Sequence, residues 1–315
     1  MTQNTASSPS AVSSASTSLP AIGVIGLGIM GGLYAQHLLA AGFTVTGYDV
    51  SAERIESFRQ AGGQVAASPT EVVERADIVV VALSSISAFH SVLLDADSAA
   101  AHARPDQIFI ETGTIPIALK MQMCDHLARH GAKAIDAPVT GTRLHAERKE
   151  LVVYASGEDA DFERVRTVIE AFASDVRFVG AFGTGMKLKI ITNLLVAVHT
   201  GAAAEALSLA KTAGLDLQMV YDLINGGPAG SSVFGFRGPL MIENRFKEPT
   251  MRVDVFSKDV EIIGNFARTL GAATPLFDAS SLLYHKALED GMKAEDISAV
   301  FNVLIHSSGH RHQNA

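Results

Sequence analysis

The stretch that most constrains this chain is residues 21–49, AIGVIGLGIMGGLYAQHLLAAGFTVTGYD. An apolar run over 21–25 leads into Gly26, Gly28 and Gly31, the spacing GxGxxG. A helix-like segment follows to Ala41, then Gly42, then a second strand-like run over 43–48 that ends in Asp49. Gly26 permits a tight turn, Gly28 lets the backbone approach a diphosphate, and Gly31 lets the helix lie close on the strand. The first helical residues, Ile29 and Met30, present backbone N–H groups to the phosphates. Asp49 stands where a carboxylate accepts hydrogen bonds from the adenosine ribose, and its charge repels a 2′-phosphate. The order strand, turn, helix, strand, acid therefore predicts an NAD site. The plainer reading of Asp49 is a solvated residue at a strand end, and Arg54 is near enough in sequence to soften a preference for NAD over NADP. No charged side chain precedes Asp49. This opening is not read as a membrane span, because Gln36 and His37 interrupt it and it divides into strand and helix lengths.

A chain of 315 residues, 48% hydrophobic and 18% charged, has room for two domains and a sizeable core. The net charge of −8, with no basic cluster, argues against nucleic acid as a partner. Cys124 is the only cysteine, so no internal disulfide forms, which fits a reducing, cytoplasmic setting. Residues 1–19 are rich in Ser, Thr and Ala without a charge. They have neither the basic start of a signal peptide nor the arginines of a mitochondrial presequence, and read as a disordered tail. Residues 307–315 read as a second tail; the nearby His306, His310 and His312 fit a frayed polar end better than a metal site.

Apolar, strand-like runs recur at 21–25, 43–48, 77–83, 107–111, 133–136 and 151–155, and again near 178–182, with helical stretches such as 51–61 and 117–131 between them. Near-continuous apolar strands separated by helices predict a parallel sheet covered on both faces. After Gly183 no strand-like run remains. Residues 186–212 read as one helix of about 40 Å at ~1.5 Å per residue, apolar almost all round and so buried between domains or subunits. More helical segments follow at 216–225, 237–244, 255–270, 276–290 and 294–305. The expected architecture is α/β: a Rossmann-type doubly wound sheet over 20–182, then an all-helical domain over 183–306.

Three further segments belong with the glycine turn: DAPVTG over 136–141, GTGMKLKIITN over 183–193, and Ser257-Lys258-Asp259. Together they resemble the β-hydroxyacid dehydrogenase family over about residues 20–305. Within it, the stretches from Ile190 to Ile224 and DVFSKD are most similar to the members that oxidise L-threonate. The family pattern G-x-G-x-x-x-K-x-x-x-N falls on Gly183, Gly185, Lys189 and Asn193, and implies that Lys189 is the acid/base. Helix geometry agrees: Lys189 and Asn193 are i,i+4 and share a face. Lys187 is turned about 160° away at ~100° per residue.

The resemblance also implies that Thr140 and Gly141 form the substrate loop, binding a carboxylate through backbone amides and a hydroxyl. Thr140 replaces the usual serine, Thr142 stands where a second glycine is usual, and His145 and Lys149 fall at places often held by glycine. Arg143 or His145 is thereby in reach of a second polar group on a larger acid, or simply solvated. Thr114 matches a residue near the nicotinamide, with Gly113 in place of a serine, and Lys258 matches a lysine near nicotinamide and substrate. The plainer reading of Lys258 is a surface lysine paired with Glu261 or Asp259. Leu83 and Ser84 follow a strand and face the cofactor at the sheet edge. Phe234, with Ser231 and Ser232, is expected to line the substrate pocket.

The implied activity is NAD-dependent oxidation of a small hydroxy acid, with L-threonate or another aldonate preferred. The alternatives are 3-hydroxyisobutyrate dehydrogenase, tartronate semialdehyde reductase or, in another class, a non-catalytic dinucleotide-binding scaffold. The expected partners are the hydroxy acid and other copies of the chain, as a homodimer or homotetramer. Neither nucleic acid, membrane nor metal is expected.

Overall fold

The computed structural model describes residues 19–311; residues 1–18 and 312–315, which hold most of the two expected tails, lie outside the described residues. Strands and helices alternate through the first half: β1 Ile22–Ile25, α1 Ile29–Ala40, β2 Val45–Tyr48, α2 Ala52–Gln60, β3 Gln64–Val65, α3 Pro69–Arg75, β4 Ile78–Val81, α4 Ile86–Leu93, β5 Ile108–Glu111, α5 Ile117–Arg129 and β6 Lys133–Asp136. The six strands form one parallel sheet in the order β3-β2-β1-β4-β5-β6. The order reverses beside β1, which leaves a crevice at the carboxyl edge. Register places the strand ends in line: Ile25 lies opposite Tyr48 and Val81, Val81 opposite Glu111, and Glu111 opposite Asp136. The segments after β1, β2, β4, β5 and β6 therefore leave the same edge. β1, β4 and β5 are buried along their length, so their runs are apolar without alternation.

The expectation of a single sheet needs correction. β7 Val139–Thr140, β8 Val152–Ala155 and β9 Asp175–Phe178 form a separate three-stranded sheet, with α6 Arg143–Glu147 and α7 Asp159–Glu170 between them. Asp136 closes β6 by a bridge to Ser156, and β7 then runs antiparallel to β8. The last strand also begins earlier than the run near 178–182 predicted. Asp175 and Arg177 alternate with Val176 and Phe178 on an edge strand, so polarity hides it in the sequence. Gly180 and Gly183, at φ of 104° and 89°, instead turn the chain into the next helix.

The second half is helical: α8 Thr184–Thr212, α9 Leu217–Ile224, α10 Ser232–Ile242, α11 Val253–Leu270, α12 Pro275–Glu289 and α13 Val300–Arg311. α13 runs five residues into the expected C-terminal tail. α8 is the one described helix long and apolar enough, by length and composition alone, to cross a membrane. Here it is the central helix, packed by α10, α11, α12 and α13. Ile191, Leu195 and Leu209 remain exposed along it.

Gly31 shows why the glycine spacing is obligatory. A Cβ there would lie 1.9 Å from the Gly26 carbonyl oxygen and 2.9 Å from Ala82 Cβ. Gly31→Ala is expected to push α1 off β1 and destabilise the fold by about 1–3 kcal/mol, the cost of overpacking. A thermal melt reads this; an unchanged midpoint would mean that α1 can retreat freely.

Candidate active site

The dinucleotide end forms around the β1–α1 turn. Gly26 adopts φ 92°, and a Cβ there would sit 2.6 Å from the Ala82 carbonyl oxygen and 3.3 Å from Leu83 Cδ2. At Gly28 an added Cβ would meet only Arg54 Nη1, at 3.7 Å. No side chain caps α1, and its first turn carries no acid. The amides at the head of this helix, including those of Ile29 and Met30, thus face a cradle suited to phosphate. Asp49 is 7% exposed. Its Oδ2 accepts from Leu27 N at 2.8 Å, its Oδ1 from Ser51 N at 2.9 Å, and Arg54 Nη1 is 3.4 Å from both oxygens. The carboxylate is therefore fixed beside the glycine turn. Leu83 is half-buried and Ser84 exposed at the same edge.

The lysine end is built where α8 begins. A Cβ at Gly185 would lie 2.1 Å from the Tyr154 carbonyl oxygen, so the GTG head must stay bare to pack on β8. Ser156 Oγ accepts from Gly185 N at 3.0 Å and Asp136 Oδ2 from Met186 N at 2.8 Å, which anchors the first turn. One turn on, Lys189 and Asn193 are 9% and 5% exposed, whereas Lys187 is exposed on another face. Asn193 Nδ2 donates to Asp259 Oδ2 at 3.0 Å. Asp259 Oδ1 is 2.9 Å from Lys258 Nζ, and Lys258 Nζ also donates to the carbonyl oxygen of Thr114. α11 thereby reaches across to the loop after β5. Burial holds the Lys189 ammonium below its ordinary range; Asp259 opposes that shift and Lys258 adds to it.

The substrate loop departs from expectation in part. Thr140 Oγ1 is buried with no hydrogen-bond partner. An orphaned buried hydroxyl is costly unless a ligand satisfies it. Gly141 has φ 140°, and a Cβ there would sit 2.6 Å from Leu151 Cδ2. Beyond it the chain coils into α6. Thr142 caps this helix, with His145 Nδ1 2.8 Å from Thr142 Oγ1 and 3.1 Å from Thr142 N. Arg143 pairs with Glu147 at 2.7 Å. These side chains satisfy one another. Lys149 adopts φ 60°, the left-handed region that explains why glycine is usual there. Phe234 lies in the core of the helical half, buried, and stacks on Tyr221 at 5.6 Å, and Ser231 Oγ is used to accept from Phe234 N.

Several polar residues of the site were not anticipated. Asp259 pairs Lys258, as one sequence reading has it, but it also orients Asn193, which that reading does not give. Asp136 and Ser156 hold the head of α8. Lys120 was detectable: it shares the inward face of α5 with Met123 and Leu127, where an apolar residue belongs.

A diphosphate cradle, a carboxylate at the ribose position and a buried lysine of depressed pKa, all gathered at one sheet edge, are the equipment of a dinucleotide-dependent dehydrogenase. Comparison with known proteins agrees. Residues 21–180 match the NAD-binding domain of 6-phosphogluconate dehydrogenase, and residues 183–304 match the NAD-binding model of NADP-dependent 3-hydroxyisobutyrate dehydrogenase. An L-threonate dehydrogenase of Cupriavidus necator is 36% identical over 90% of this chain and 95% of its own. A 3-hydroxyisobutyrate dehydrogenase structure from Salmonella typhimurium superposes with a TM-score of 0.81 at 31% identity, over 90% of this chain and 99% of that one. A Mycobacterium tuberculosis 3-hydroxyisobutyrate dehydrogenase, solved with L-serine, gives 0.83 at 28% identity, over 91% and 99%. The chain belongs to the β-hydroxyacid dehydrogenase family and is an NAD-dependent hydroxyacid dehydrogenase.

Proposed function

We propose that the chain oxidises L-threonate or a closely related aldonate with NAD, and that Lys189 is its acid/base. The observation that carries the mechanism is the placement of Lys189 and Asn193 on one buried face of α8, beside Lys258 and Asp259. NAD, when bound, supplies the hydride acceptor. The substrate carboxylate binds at Gly141 and the orphaned Thr140 hydroxyl. Asn193, held by Asp259, orients the reacting hydroxyl, and Lys189 Nζ takes its proton. Lys258 fixes the Thr114 loop and keeps positive charge near the substrate. In the reverse direction Lys189 returns the proton.

The choice of aldonate is supported by the L-threonate dehydrogenase relatives, at 31–36% identity for three of them. The alternative, 3-hydroxyisobutyrate, is favoured by the names of the two superposing structures. NADH formation over a panel of L-threonate, other aldonates and 3-hydroxyisobutyrate decides between them. The highest kcat/KM is expected with L-threonate; activity confined to 3-hydroxyisobutyrate would refute the substrate while leaving the family intact. No turnover of any hydroxy acid would favour a non-catalytic scaffold.

The working form is a homodimer or homotetramer in the cytoplasm. Exposed Ile191, Leu195 and Leu209 on α8, with Met219 and Leu223 on α9, support burial against another copy. Light scattering is expected to give a multiple of 33.2 kDa; a monomer at all concentrations would count against this.

A further inference from the structure

Lys120 is a lysine wholly out of reach of solvent. Its Nζ sits 2.5 Å from Glu111 Oε2 and 2.6 Å from Asp136 Oδ1, and both of these carboxylates are also fully buried. Burial alone would discharge the lysine; the two carboxylates outweigh it and hold the ammonium above its ordinary pKa. Burial pushes the Glu111 carboxyl above its ordinary range; the ammonium of Lys120 opposes that shift and Asp136 adds to it. The remaining oxygens of the carboxylates point at different places.

Glu111 Oε1 accepts from Gly113 N at 2.8 Å. Gly113 fits so closely that a Cβ would lie 2.7 Å from that same oxygen and 2.9 Å from the Leu83 carbonyl oxygen. The next residue is Thr114, whose carbonyl receives Lys258. On the other side, Asp136 Oδ2 accepts from Met186 N and from Ser156 Oγ, and Ser156 Oγ accepts from Gly185 N. Met186 is three residues before Lys189 on the same helix. An unbroken chain of polar contacts thus runs from the loop at Thr114, through one ammonium, to the first turn of α8.

We infer that Lys120 is a positioning residue, which sets the Thr114 loop and the Lys189 helix at a fixed separation by clasping Glu111 and Asp136 together. This rests on the acid/base role of Lys189. A second polar path, from Thr114 through Lys258 and Asp259, reaches α8 one turn beyond Lys189, at Asn193, so the clasp acts on the head of the helix. Glu111 and Asp136 are neighbours in register on β5 and β6, and like charges there repel unless a cation lies between them. The absence of a side chain at Gly113 is part of the same arrangement, because the Glu111 carboxylate occupies that space.

The test uses the full-length enzyme with NAD and its best hydroxy acid. Lys120→Met is expected to lower kcat by ~10–100-fold, the scale of a displacement of about an ångström at the reacting groups. NADH affinity, read by fluorescence, is expected to stay within about threefold, because the glycine turn lies outside the clasp. Lys120→Met also unbalances buried charge, so the second variant is Lys120→Met with Glu111→Gln, which restores the original net charge. The expected result is a recovered melting temperature with kcat still low. Recovery of kcat along with the melting temperature would overturn the inference, since charge balance alone would then suffice. Normal kcat in Lys120→Met would overturn it directly. A cycle with Lys189→Ala separates the two readings. If Lys120 acts through Lys189, its substitution adds little in the Lys189→Ala background; full additivity would refute it. If Lys189→Ala itself keeps normal turnover, the acid/base reading fails, whatever Lys120 does.

Discussion

Lys189→Ala is expected to reduce turnover by ~10²–10⁴-fold, the usual contribution of a positioned acid/base, with NAD affinity little changed. Lys187→Ala, on the exposed face of the same helix, is expected to retain most activity. The pH dependence follows from the direction of the Lys189 shift. Proton acceptance needs the neutral amine, and a free lysine is neutral only above ~10.4. Burial lowers that threshold and Lys258 lowers it further, while Asp259 pulls the other way. Oxidation of the hydroxy acid should therefore rise with pH through a limb lying below the free-lysine value, and reduction of the keto acid should fall through the same limb. Lys258→Ala is expected to move the limb upward, because it removes a like charge. A limb unmoved in that variant would dissociate Lys258 from the proton-accepting group. Near-normal turnover in Lys189→Ala together with an inactive Lys187→Ala would transfer the role to the wrong face of α8 and sink the assignment.

Catalytic efficiency with NAD is expected to exceed that with NADP by roughly 30- to 1000-fold, which corresponds to about 2–4 kcal/mol from charge repulsion and a lost ribose hydrogen bond. The geometry of Asp49 is the reason. Both of its oxygens are tied to backbone amides, those of Leu27 and Ser51, so the carboxylate cannot swing away from an incoming 2′-phosphate. Arg54 sits 3.4 Å away but is half-exposed, and solvent screens what it offers in compensation. Asp49→Ser should weaken use of NAD and narrow the gap. Equal or better efficiency of the unaltered enzyme with NADP would refute the role given to Asp49.

The glycine turn and the lysine helix were legible because each imposes a local rule. Gly26, Gly28 and Gly31 stand where a side chain collides or would crowd a ligand, and such positions leave a fixed spacing in the sequence. Lys189 and Asn193 share a helix face whatever surrounds them. The second sheet was not legible for the opposite reason. β7 is two residues long and β9 alternates polar with apolar on an edge, so neither leaves a strong run. Residue type alone does not tell whether Phe234 lines a pocket or fills a core, since an aromatic on a helix serves either, and the contact with Tyr221 is visible only in the fold. The partners of Lys120 lie 9 and 16 positions away in sequence, yet only the parallel register of β5 with β6 brings the two carboxylates together. Contacts of that kind belong to the topology, which no single segment encodes.

The hydrogen bond from Lys258 to Thr114 spans 144 positions, that from Asn193 to Asp259 spans 66, and that from Met186 to Asp136 spans 50. No short stretch of the chain contains the reacting constellation; it exists only when both halves are folded and docked. Turnover is for that reason a reporter of global cooperativity. Any event that melts either half extinguishes it at once, whereas the phosphate cradle, made from residues within the first sheet, survives as long as that sheet does. Loss of activity and loss of dinucleotide binding should accordingly separate during stepwise denaturation, with activity the earlier to go.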